Sequence, residues 1–210
     1  GSVAGAGTAA VGATASTAVF TNDVLATVGD YVRFITTNAN TNRPVEKRGI
    51  QVANRGNRRR GVIVSATAME DLILVTISGN AAGTAAVTGI VSTLVVANKV
   101  KATVGDNADF DANGSGLDTD TDGKDTDSDG ADGEPGDISV EADDDSFLLN
   151  LAGALSASGT AGVGASVATM VFSKEVEASI GSNGTITAAG DVSVIAGLNS
   201  GNKDHVILLG

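Results

Sequence analysis

Polar and apolar residues alternate with period two along much of this chain. Glu175-Val176-Glu177-Ala178-Ser179-Ile180 and Asp191-Val192-Ser193-Val194-Ile195-Ala196 carry the pattern most plainly, and it is the signal of a half-buried strand. Residues 166–172, 185–187 and 206–209 read as further short strands. Gly181-Ser182-Asn183-Gly184 and Ala189-Gly190 read as turns, and 199–204 as a polar loop. No amphipathic helix stands out. Short strands joined by tight turns leave three all-β choices: a sandwich, a barrel or a solenoid.

Internal repetition decides among them. Ala6-Gly7-Thr8-Ala9-Ala10-Val11 returns as Ala82-Gly83-Thr84-Ala85-Ala86-Val87 and as Ser158-Gly159-Thr160-Ala161-Gly162-Val163, each step being 76 residues. Ala26-Thr27-Val28-Gly29-Asp30 returns as Ala102-Thr103-Val104-Gly105-Asp106 and as Ala178-Ser179-Ile180-Gly181-Ser182. A fixed period marks a repeat architecture in which neighbours cover one another. The expectation is one all-β solenoid over 1–210, with repeats 1–76, 77–152 and 153–210. Val64, Val140 and Val194 form one expected ladder, and Val28, Val104 and Ile180 another. The third repeat, without a long insertion, is expected to make two coils of about 25–30 residues, with strands about 4.8 Å apart. Gly83, Gly159, Ala9, Ala85 and Ala161 are expected to let opposite walls approach closely.

The ends keep the same register. Val206-Ile207-Leu208-Leu209-Gly210 matches Leu148-Leu149-Asn150-Leu151-Ala152, and Gly1 matches the place of Gly153. The expectation is one period of something longer, a tandem array or a head-to-tail polymer, with residues 206–209 abutting the first residues of the next unit. Neither end shows an amphipathic helix, a Pro or a charge cluster that would act as a cap.

Composition supports narrow stacked strands. Aromatics are 3% of residues, there is no Trp, and the apolar share of 42% is mostly Ala and Val. Compact cores rely on larger side chains. The absence of Cys excludes disulfides and thiol chemistry. A net charge of −12 disfavours nucleic acid as a partner. The uncharged stretches 72–98 and 151–173 are long enough to span a membrane, but Gly, Ala, Ser and Thr dominate them, so no span is expected.

Two insertions of 22 residues, 39–60 and 115–136, follow the equivalent residues Phe34 and Phe110, whose counterpart in repeat 3 is Ile186. The first carries Arg43, Lys47, Arg48, Arg55, Arg58, Arg59 and Arg60 against Glu46, a net +6; the second has eight acidic residues against Lys124, a net −7. Both should leave the same side of the rod, where they could pair with each other or clamp a neighbouring filament. On the two-coil expectation their roots lie about 10 Å apart. Such charge runs are commonly solvated surface. The acidic one has further grammar: Asp118, Asp120 and Asp122 before Gly123, then Asp125, Asp127 and Asp129 before Gly130. Alternate carboxylates with Gly at the sixth position resemble the start of a calcium loop. These six Asp are the candidate metal ligands and Ca²⁺ the candidate cofactor, although the bidentate Glu expected at position twelve is replaced by Asp129.

Catalytic patterns are missing. His205 is the only histidine and is expected in a loop beside Asp204. The run Gly159, Gly162, Gly164 lacks the order of a dinucleotide fingerprint. Asn113 and Asn183 open formal glycosylation sequons that coincide with turns. The chain is expected not to be an enzyme.

Gly190-Asp191-Val192-Ser193-Val194-Ile195-Ala196, Gly136-Asp137-Ile138-Ser139-Val140-Glu141-Ala142 and Ser158-Gly159-Thr160-Ala161-Gly162-Val163-Gly164-Ala165-Ser166 resemble the tandem repeats of giant secreted bacterial adhesins of the filamentous-haemagglutinin and leukotoxin-like type. The resemblance covers nearly the whole chain outside the insertions. It implies a right-handed parallel β-helix, export to the cell surface or beyond, and a role in attachment to a host or neighbouring cell, with no catalytic residue. The first expectation is therefore a structural and adhesive unit of an extracellular filament or stalk that assembles end to end. A calcium-dependent ligand-binding module is the second, and a β-helical polysaccharide-degrading enzyme the third.

Overall fold

The computed structural model describes residues 1–35, 51–53, 61–112, 137–188, 190–197 and 205–209. The chain is an all-β right-handed parallel β-helix built from tandem repeats. Its strands are β1 (Ser2–Ala6), β2 (Ala9–Val28), β3 (Arg33–Ile35), β4 (Gln51–Ala53), β5 (Gly61–Ala82), β6 (Ala85–Val104), β7 (Asp109–Ala112), β8 (Asp137–Ser158), β9 (Ala161–Ile180), β10 (Thr185–Ala188), β11 (Val192–Gly197) and β12 (His205–Leu209). They form three parallel sheets. The first has the order β1-β5-β8-β11, with β12 also on β8 and β4 also on β5; the second is β2-β6-β9; the third is β10-β7-β3.

Every ladder between full repeats advances by 76 residues: Val64 pairs with Val140, Val28 with Val104, and Val104 with Ile180. One repeat is therefore one coil, not the two expected. The error lay in strand length. β5 and β8 have 22 residues each, and β2, β6 and β9 have 20 each, or about 65 Å of extended chain. Residues 166–172 and 175–180, expected as separate strands, are parts of β9. The Gly/Ala/Ser-rich stretch 152–158 is not a connection between strands but the end of β8. Small residues are strand residues here because the two walls nearly touch. A Cβ added at Gly162 or Gly164 would lie 3.0 Å from the carbonyl oxygen of Ser156 or Ala154 on the facing strand.

Two turns are repeated along the axis. At the first, a Cβ on Gly83 would sit 2.2 Å from the Gly7 carbonyl oxygen and one on Gly159 2.5 Å from that of Gly83, so Gly is needed for successive turns to stack. The expected close approach at these glycines is thus between turns rather than walls. At the second, Tyr31, Asn107 and Asn183 all have positive φ, at 60°, 56° and 59°. Asn tolerates this left-handed conformation well, Tyr less so. The Asp30 carboxylate accepts from the Asp106 N–H at 2.9 Å, and the Asp106 carboxylate from the Ser182 N–H at 2.7 Å and its hydroxyl at 3.0 Å. The two bonds from Ser182 hold the Asp106 carboxyl below its ordinary pKa.

Even-numbered residues of the long strands point inward, and the middle coil is the best covered. Val62, Val64, Val100, Val104, Phe110, Ile138 and Val140 are buried in one apolar cluster, and Leu94, Val96 and Leu148 in a second. Outward positions carry valine columns, such as Val11-Val87-Val163 and Val19-Val95-Val171. Their β-branched side chains favour the extended backbone even where exposed. Among the described residues no helix is long and apolar enough to cross a membrane. The described residues of both uncharged stretches lie chiefly in strands.

Candidate functional site: a polar cluster between the long sheets

The two apolar clusters are separated by a patch of polar side chains. Inward phase carries Ala66 and Ala68 on to Glu70 in β5, and Ala142 on to Asp144 and Ser146 in β8. The facing wall presents Asn22, Asn98 and Lys174, one in-register column of β2, β6 and β9. The Glu70 carboxylate accepts from Asn22 Nδ2 at 2.6 Å, Asn98 Nδ2 at 2.5 Å and Ser146 Oγ at 2.9 Å. Asp144 is fully buried; its carboxylate accepts from Ser146 Oγ at 3.3 Å and Asn98 Nδ2 at 3.5 Å, and lies 3.1 Å from Lys174 Nζ. The Lys174 ammonium also sits 5.2 Å from the centroid of the Phe172 ring, within reach of a cation–π contact.

Burial pushes the Glu70 carboxyl above its ordinary value, the neighbouring Asp144 charge adds to this, and the Asn22 and Ser146 hydrogen bonds oppose it. Two carboxylates and one ammonium thus share the space between the walls, Asp144 fully buried and Glu70 and Lys174 partly so. The donors to the two carboxylates are Asn22, Asn98, Ser146 and Lys174 of the same cluster, which is the chemistry of a packed network. Further along the interior, Thr76 of β5, Ser92 of β6 and Asn150 of β8 form a second chain that joins the two walls. Ser92 Oγ donates to Asn150 Oδ1 at 2.6 Å, and Asn150 Nδ2 to the Thr169 carbonyl at 2.9 Å.

None of these residues was marked in the sequence as functional. The signal was present as phase: within Asp143-Asp144-Asp145, only Asp144 shares the even parity of Val140 and Leu148. On the outer face, Lys101 Nζ lies 2.6 Å from Glu175 and 2.5 Å from Glu177. Hydrogen bonds between them hold the lysine pKa up and both carboxyls down.

The candidate calcium ligands Asp118, Asp120, Asp122, Asp125, Asp127 and Asp129 lie outside the described residues, as do the charged residues of the basic insertion. Among the described residues no group of three or more His, Asp or Glu is placed to hold a metal ion. The insertion roots do share a column, since Phe34 and Ile186 both pair with Phe110. With one coil per repeat, the two roots are one strand spacing apart, about 4.8 Å rather than about 10 Å. Part of the first insertion returns to the sheet as β4, with Val52 in register with Val64. His205 is not in a loop; it opens β12, in register with Phe147. No protein family, curated protein or solved structure matches the chain.

Proposed function

We propose that this protein is a structural solenoid unit that extends along its axis by edge-to-edge pairing, forming a filament or stalk. One observation carries the reading. Among the described residues, β2 and β9 are the outer strands of a parallel sheet, each with a 20-residue edge that no strand covers. A long, flat, apolar edge is a template for another strand. The columns at the two edges match: Val11 and Val163, Val19 and Val171, Ala26 and Ala178 each share a middle partner. A coil laid on either edge therefore continues every column, whether the same polypeptide or another copy supplies it. The interior polar network supports the same role. A one-residue slip would turn Asp144 and Glu70 to the outer face and break their contacts with Asn22, Asn98 and Lys174.

The adhesive role, and placement outside a bacterial cell, rest on the resemblance to secreted adhesin repeats. Sedimentation and electron microscopy of the purified chain test the reading. The expected product is an axial filament with about 4.8 Å strand spacing and about 14 Å, three coils, per chain. A monodisperse monomer at high concentration overturns it.

A further inference from the structure

The strand β4 lies on an edge of β5 that is otherwise covered only at one end. In the first sheet, one edge of β5 is paired to β8 along its whole length, from Gly61 to Ala82. On the other edge β1 covers only Ser78–Ala82, and β4 covers only Ile63–Ser65. At the opposite end of the same sheet, β11 covers Ile138–Asp143 of β8 and β12 covers Phe147–Leu151. Those β8 residues share columns with Val62–Thr67 and Asp71–Val75 of β5. In an axial stack the open edge of β5 is therefore the landing place of a neighbour's β11 and β12. β4 occupies part of it: Gln51, Val52 and Ala53 take the places that Ser193, Val194 and Ile195 hold on β8.

We infer that the open edge of β5 is the docking edge for β11 of a second copy of this chain, and that β4 is a resident strand which must leave when the copies join. The inference rests on the axial-stacking reading above. Three features suit β4 to the part. It runs parallel to β5, as β11 does to β8, so it presents the same hydrogen-bonding direction to the edge. It is three residues long, against six in β11 and five in β12, so exchange increases the number of paired residues. Only residues 54–60 separate it from β5, whereas parallel neighbours ordinarily need a dozen or more between them. The short tether keeps β4 at high local concentration, which blocks chance pairing of an exposed edge, while its shortness lets a matched strand replace it.

A reversible lock tests this on the full chain. Ala53 and Ser65 are in-register partners, at a separation between neighbouring strands that a disulfide can bridge, and the chain has no native Cys. Oxidised Ala53→Cys/Ser65→Cys protein should elongate preformed seeds at least about tenfold more slowly than wild type, and reduction should restore the rate. Val52→Pro, which disfavours strand pairing, should elongate faster and should lose amide-exchange protection at Ile63–Ser65. Failure of the Cys pair to oxidise, or elongation of the oxidised lock at the wild-type rate, overturns the role of β4 while leaving axial stacking intact. If neither wild type nor Val52→Pro associates end to end, axial stacking itself falls and the docking edge falls with it.

Discussion

Replacing Asp144 by Ala removes a carboxylate that lies against Lys174 in the solenoid interior. Asp144 is 0% exposed and the Lys174 side chain 13%, with 3.1 Å between their charged atoms. At that distance the attraction is about 5 kcal/mol for an effective dielectric of about 20, and desolvation of both ions offsets most of it. Breaking such a pair from one side ordinarily costs about 3–5 kcal/mol, because the other charge stays buried. Lys174 lies on the edge strand β9 and keeps some contact with water, and the loss of Asp144 relieves repulsion on Glu70. Both effects place the expected cost near the lower bound, about 3 kcal/mol. Removing both charges while filling the space, as in Asp144→Leu/Lys174→Met, should recover most of that and even exceed wild type, since well-packed apolar replacements of buried pairs are often neutral or stabilising. Urea unfolding followed by circular dichroism at one protein concentration measures both; with a slope of about 1–3 kcal/mol per molar, the single replacement should lower the midpoint by at least about 1 M. A single replacement within about 0.5 kcal/mol of wild type, or a double no more stable than the single, would refute the reasoning that a largely buried ion pair is held between the walls.

Two further outcomes are expected. Glu70 has a folded-state pKa above its ordinary 4.5, so its contribution to stability is fully present below the unfolded value and is lost as pH rises through the folded one. Glu70→Gln should flatten that decline in Tm as pH rises above the ordinary value of 4.5, while Asp106, whose pKa is lowered, acts with the opposite sign and loses its contribution as pH falls; an unchanged slope in Glu70→Gln would count against a desolvated carboxylate. Chelator-treated protein should take up Ca²⁺ through its acidic insertion, and Asp→Asn at 120, 122, 127 and 129 should abolish the calorimetric signal. No saturable heat at millimolar Ca²⁺, the weak end of the range for such loops, would leave that insertion a plain polyanion.

The solenoid was legible because stacking leaves its trace in the chain itself. Equivalent residues of successive coils must fit one column, so Val64, Val140 and Val194 recur together, and the glycines of the turns recur where only Gly clears the carbonyl below. The shared column of Phe34, Phe110 and Ile186 followed from the same arithmetic. The number of coils per repeat was not legible. Ala, Gly and Ser have low strand propensity and read locally as connections, yet at 153–158 and 161–165 they are strands, because only small side chains fit where facing walls come within contact of each other's backbone.

Alternation by itself determined that Asp144 and Glu70 share the inward parity of their strands. It could not say what they face, because that depends on where the turn at Gly83-Thr84 folds one 22-residue strand back on the next. Once folded, position 70 meets Asn22 and Asn98, and Asp144 meets Lys174 across the interior. Nor could the sequence show that three residues of a strongly basic insertion would lie on the edge of β5. Their alternation is too short to register, and only a vacant row of backbone donors and acceptors, which exists after the coils have stacked, gives them a place to pair.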